Sequence, residues 1–138
     1  MNRQDFEALG NQGYNRVAIV FESLADLETP LSLYLKLTQS QGATNTFLLE
    51  SVVGGERFGR YSIIGLPAKT LIKVSGGAKH PTTQVITNST ITETDHGNPL
   101  DFVAQYHARF KVALTHGLPR FCGGLAGYFG YDTIRYIE

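Results

Sequence analysis

The sequence predicts an α+β fold: a predominantly antiparallel sheet with two or three flanking helices. Three observations carry that expectation. Short runs rich in β-branched and aromatic residues recur between glycines. Two segments carry apolar residues at helical spacing behind an asparagine or threonine followed by proline. Fifteen glycines in 138 residues call for many turns.

Residues 3 to 9 alternate charge with Phe6 and Leu9, a short helix closed by Gly10 and Gly13. Arg16 to Phe21 reads as a buried strand, with five consecutive apolar residues. Thr29 and Pro30 suit an N-cap and first helical position, because proline lacks the N–H that a helix start leaves orphaned. Leu31, Tyr34, Leu35 and Thr38 then share a helical face, and Gly42 can end the helix.

Phe47 to Gly65 concentrates the polar chemistry. Two β-rich runs flank a connection containing Gly54 and Gly55, which reads as neighbouring antiparallel strands. The first run stops on Glu50 and Ser51, an acid and a hydroxyl in apolar surroundings. Thr70 to Val74 is a further strand, ended by Gly76 and Gly77. The threonine-rich residues 82 to 94 suit two exposed strands at a sheet edge, turning at Asn88 and Ser89. Asn98, Pro99 and Asp101 open a helix whose apolar stripe, Phe102, Val103, Tyr106, Phe110 and Leu114, runs to Gly117. Phe121 to Glu138 interleaves four glycines with aromatics and suggests a strand against which another backbone or a ligand packs closely. Its apolar end reads either as a docked C-terminal strand or as the edge of a longer chain.

The whole is long enough for one domain and short for two. Charged residues make up 17% and balance to zero net charge, which gives no general attraction to nucleic acid or anionic membrane. No apolar span approaches the roughly 20 residues of a transmembrane helix. The start lacks the apolar core of a signal peptide. The lone Cys122 reads as a buried free thiol in a reducing cytoplasm. The four histidines lack metal-ligand spacing and are expected in solvent. Asp132 and Arg135 suit a simple ion pair, and Tyr128, Phe129 and Tyr131 suit core packing.

Three segments together resemble the amino-terminal region of anthranilate synthase component I. They are Thr-Pro-Leu-Ser-Leu-Tyr-Leu-Lys-Leu at 29 to 37, Phe-Leu-Leu-Glu-Ser-Val at 47 to 52 with Gly-Arg-Tyr-Ser-Ile-Ile-Gly at 59 to 65, and the glycine-rich 123 to 138 ending Asp-Thr-Ile-Arg-Tyr-Ile-Glu. The last is shared with aminodeoxychorismate synthase component I of the folate pathway, but the Leu-Leu-Glu-Ser run fits the anthranilate branch better. The resemblance implies the amino-terminal part of the two-sheet chorismate-utilising synthase fold across residues 1 to 138. It implies formation of anthranilate and pyruvate from chorismate in tryptophan biosynthesis, with Mg²⁺ and with ammonia from a glutamine amidotransferase subunit. The catalytic and metal-binding residues belong to a carboxy-terminal chorismate-binding portion absent from this chain. What the resemblance places here is part of the L-tryptophan feedback site, at Leu49, Glu50 and Ser51.

Elementary chemistry is compatible with that assignment. Free tryptophan needs an acid for its ammonium, donors for its carboxylate and an apolar slot for its indole. Neighbours on a regular strand point to opposite faces, so Glu50 and Ser51 cannot both aim side chains at one ligand. Either the strand ends or bulges there, or one residue serves through its backbone. Ser51 by side chain and Glu50 by backbone is the favoured arrangement. The plainer alternative pairs Glu50 with Arg57 or Arg60 and leaves Ser51 a strand-end hydroxyl. A stand-alone amino-acid-binding module is the remaining rival of another class.

Overall fold

The structure is a computed structural model and describes residues 1–39, 44–50, 61–119 and 121–137. Helices and strands mix as an α+β protein. The chain divides into two compact units, one of Met1–Glu22, Ile72–Ile86 and Ile91–Glu138, the other of Ser23–Leu71 and Thr87–Thr90.

In the first unit, helix α1 (Arg3–Asn11) starts where the Asn2 side chain accepts a hydrogen bond from the Asp5 amide. It runs through Gly10 to Asn11, two residues further than the glycine suggests. Strand β1 (Arg16–Val17) lies parallel to β7 (Val112–Ala113), with Arg16 opposite Val112 and Val17 opposite Ala113. The expected six-residue buried strand is therefore only two residues of ladder. The structure offers β1 just the two residues of β7 to pair with, and Ile19 to Phe21 stay exposed.

Helix α3 (Pro99–Ala108) begins at Asn98, whose side chain accepts from the Leu100 amide. The same side chain donates to the Tyr136 carbonyl, tying a 3₁₀ helix (Tyr131–Tyr136) to the helix start. Helix α3 stops well short of Gly117. Asn15 explains why: its side chain donates to the Arg109 carbonyl and accepts from the Lys111 amide, both near 2.8 Å. That clamp takes the chain out of the helix and delivers β-branched Val112 to β1. Phe102 stacks on Tyr106, Tyr106 meets Phe110 edge to face, and the Arg109 and Arg16 guanidinium groups lie over the Tyr106 and Phe110 rings.

A three-stranded antiparallel sheet follows the order β4 (Thr70–Ser75), β5 (Thr82–Thr87), β6 (Thr90–Asp95). Asn88 and Ser89 both take positive φ, 50° and 66°, as a two-residue hairpin turn requires. Strand β5 is not at an edge but in the middle. Thr83 and Val85, two apart and so on one face, are both buried. With Phe102 and Ala113, Val85 makes up the buried apolar core among the described residues. The Thr83 hydroxyl is buried without a hydrogen-bond partner among them.

Residues 121 to 130 form no regular strand. Gly123 and Gly124 take φ near +141° and +145°, a conformation closed to side-chain-bearing residues, and the four glycines leave no alternating row to bury. Tyr128, Phe129 and Tyr131 stand in solvent rather than in a core, Tyr128 at 94% exposure. Cys122 is likewise exposed, not buried. All four histidines are exposed as expected, and Arg135 pairs with Asp132 at 3.1 Å.

In the second unit, helix α2 (Pro30–Gln39) opens with a reciprocal cap. The Thr29 hydroxyl accepts from the Ser32 amide and the Ser32 hydroxyl from the Thr29 amide. Glu28 accepts from Ser32 and Lys36, which holds its carboxyl below the usual range, the Lys36 bond contributing most. Thr38 is buried and donates to the Tyr34 carbonyl. Leu31 and Leu35, expected on the buried stripe with it, remain substantially exposed.

Candidate functional site

The second unit also holds the antiparallel pair β2 (Phe47–Glu50) and β3 (Ser62–Gly65), as expected. The register sets Phe47 opposite Gly65, Leu48 opposite Ile64, Leu49 opposite Ile63 and Glu50 opposite Ser62. Directly opposed residues share a face and neighbours alternate. One face therefore carries Phe47, Leu49 and Ile63 beside Gly65. The other carries Leu48 and Ile64, then Glu50 and Ser62.

Glycine at 65 serves the first face. A Cβ there would run into the Phe47 ring, so the ring lies across the space that Gly65 leaves free. The Phe47–Gly65 end of the pair, where the chain enters β2 and leaves β3, is held by local bonds. Asn45 takes φ 60° and its carbonyl accepts from the Ala68 amide at 3.2 Å. Thr46 and Tyr34 join hydroxyls at 2.7 Å, which ties α2 to the start of β2. Reading the sequence gives neither hydroxyl that role; the only signal is a tyrosine on the helix stripe and a threonine just before a strand.

Leu49 and Glu50 occupy the last two described rungs at the other end. Leu49, opposite Ile63, is 56% exposed, and Glu50 is exposed. The Glu50 side chain makes no hydrogen bond or ion pair among the described residues. The geometry brings Leu49 and Glu50 to one strand end but sends their side chains to opposite faces. Ser51, the Gly54–Gly55 turn, and the Arg57 and Arg60 alternatives for pairing Glu50 lie outside the described residues. What is described is an apolar surface (Leu49, Ile63) backed by a polar one (Glu50, Ser62), a wall rather than an enclosed site. The first unit has two open cavities, of about 490 and 220 Å³, and neither involves Leu49 or Glu50. Among the described residues no group of three or more His, Cys, Asp or Glu side chains could hold a metal ion, and no helix is long and apolar enough to cross a membrane.

Relatives supply what the wall alone does not. An anthranilate synthase component 1 from Neisseria meningitidis serogroup B is 54% identical over all 138 residues, which is 27% of its own length. The one from Pseudomonas aeruginosa is 51% identical over the same span. That of Acinetobacter calcoaceticus is 42% identical over 136 residues, covering 96% of this chain and 26% of the relative. The chain thus spans about a quarter of the length of the curated relatives it matches. No family model matches it. No solved structure matches it either.

Proposed function

We propose that this chain, which is homologous from end to end to an amino-terminal part of anthranilate synthase component 1, is the regulatory front of an enzyme of tryptophan biosynthesis. The full-length protein, a lyase, converts chorismate and ammonia to anthranilate and pyruvate, the ammonia coming from glutamine through an amidotransferase subunit. The observation that carries this reading is identity of 54% sustained across all 138 residues.

Within that enzyme, Leu49, Glu50 and Ser51 form part of the L-tryptophan feedback site. The exposed Leu49 beside Ile63 supports this, since an indole needs an accessible apolar surface. So does the exposure of Glu50 on the last described rung, next in sequence to the Ser51 hydroxyl. The carboxy-terminal chorismate-binding portion supplies the remaining walls and all catalytic groups. Tryptophan bridging the two favours an inactive arrangement, a coupling of the order of 1–3 kcal/mol. Magnesium serves the reaction in that portion; the residues described here do not fit a magnesium site, and no step depends on them. The enzyme works in the cytoplasm, where chorismate and glutamine are available.

The test is an assay of the full-length protein with chorismate, Mg²⁺ and ammonia. Anthranilate formation, inhibited by L-tryptophan, is the expected result. Aminodeoxychorismate as the product would overturn the reading, and an anthranilate synthase insensitive to tryptophan would overturn the site.

A further inference from the structure

A parallel pair of two residues a strand is an odd thing to find on its own. Parallel strands belong inside larger sheets with both faces covered, and short two-stranded pieces are marginal alone. Yet β1 and β7 form such a pair, and the chain beyond β1 continues apolar: Ala18, Ile19, Val20, Phe21. Ile19 is 76% exposed and Phe21 90%. Beyond Ala18, the backbone of Ile19 to Phe21 makes no hydrogen bond among the described residues. Where the two strands part, a groove of about 220 Å³ opens, lined by Ala18, Ile19 and Val20 on one side and His116, Gly117 and Leu118 on the other.

We infer that Ala18–Phe21 and this groove form an internal docking edge, completed by a β-strand from the roughly three-quarters of the full-length polypeptide that this chain does not span. Unpaired backbone groups supply the ladder that an added strand needs, and alternate side chains supply pockets for its residues. Leaving three consecutive large apolar residues, Ile19 to Phe21, bare in a finished protein would expose a site for aggregation. A strand of the same polypeptide is the occupant because the relatives carry that length of chain in every case compared. The inference rests on the homology above but not on which chorismate product is made.

Two measurements on the full-length protein, mixed with its amidotransferase subunit, test it. In hydrogen exchange, the amides of Ile19 to Phe21 are expected to exchange at least ~100-fold slower than unstructured peptide. In photo-crosslinking, Phe21→p-benzoylphenylalanine, which keeps an aromatic ring at that position, is expected to give intrachain adducts on residues beyond position 138. Unprotected amides overturn the inference. So do adducts on a second copy, on the amidotransferase subunit, or within residues 1 to 138. A protein that makes no anthranilate but gives the expected adducts refutes the proposed function and leaves the docking edge standing.

Discussion

The Arg109 guanidinium meets the Glu93 carboxylate through two parallel hydrogen bonds of 2.7 Å each, joining the end of α3 to β6. The fork matches the carboxylate, so both charged forms are favoured. Bonding to Arg109 lowers the Glu93 carboxyl below its ordinary 4.5, and bonding to Glu93 raises the Arg109 guanidinium. A depressed carboxyl stabilises the fold above its unfolded value and loses that contribution as pH falls through the folded value. Glu93→Gln is therefore expected to lower stability near neutral pH. The gap from wild type should close as pH falls below about 4.5. Urea titrations at pH 7 and pH 3 check this, and raised salt should narrow the gap at pH 7.

Thr83 presents the opposite case, a buried hydroxyl at 0% exposure with no partner among the described residues. An orphaned buried polar group costs about 1–3 kcal/mol. Thr83→Val keeps the β-branched shape that the middle strand favours and removes the orphan. The expected outcome is stabilisation of roughly 1 kcal/mol in the urea midpoint with an unchanged slope. Destabilisation would show that the hydroxyl finds a partner in the full-length protein.

The two cases show which parts of this fold were legible. Local chemistry was: Asn98–Pro99 and Thr29–Pro30 open helices, Asn88–Ser89 turns a hairpin, and Phe47 to Gly65 pairs its two runs. Each follows from what a few adjacent residues do to their own backbone. Long-range partnership was not legible. Apolar content made Arg16 to Phe21 and Phe121 to Glu138 look buried, but burial needs a covering surface, and a segment's own residues do not say whether one is near. Phe110 and Leu114 kept helical spacing, yet the distant Asn15 side chain ended the helix. At the candidate site, Leu49 and Glu50 fell on opposite faces of a regular strand end, as alternation dictates, whereas Ser51 was named by resemblance alone.

Gly65 tests whether the register of that strand pair matters to the site. A methyl group at 65 collides with the Phe47 ring across the ladder. Gly65→Ala is expected to destabilise by about 1–3 kcal/mol, the usual cost of overpacking. Phe47→Leu should relieve much of it, so a double-mutant cycle should give a coupling of roughly 1 kcal/mol or more. Because Phe47 and Leu49 share a face, the single variant should also weaken tryptophan inhibition of the full-length enzyme. Additive effects would mean that the ring moves aside freely.

Ser51→Phe bears most directly on regulation. If the hydroxyl helps hold the tryptophan head group, a phenyl ring there removes the bond and fills the space. In the proposed assignment the catalytic groups lie elsewhere on the polypeptide and are left alone. Coupling of 1–3 kcal/mol corresponds to about 5–150-fold, so the inhibitory tryptophan concentration should rise by that factor or inhibition should vanish. Turnover without tryptophan should stay within about twofold, since the variant removes no interaction made in the transition state. Glu50→Gln should shift inhibition far less if Glu50 serves through its backbone, as proposed. If Glu50→Gln desensitises the enzyme and Ser51→Phe does not, the carboxylate faces the ligand and the favoured assignment of the two residues is reversed.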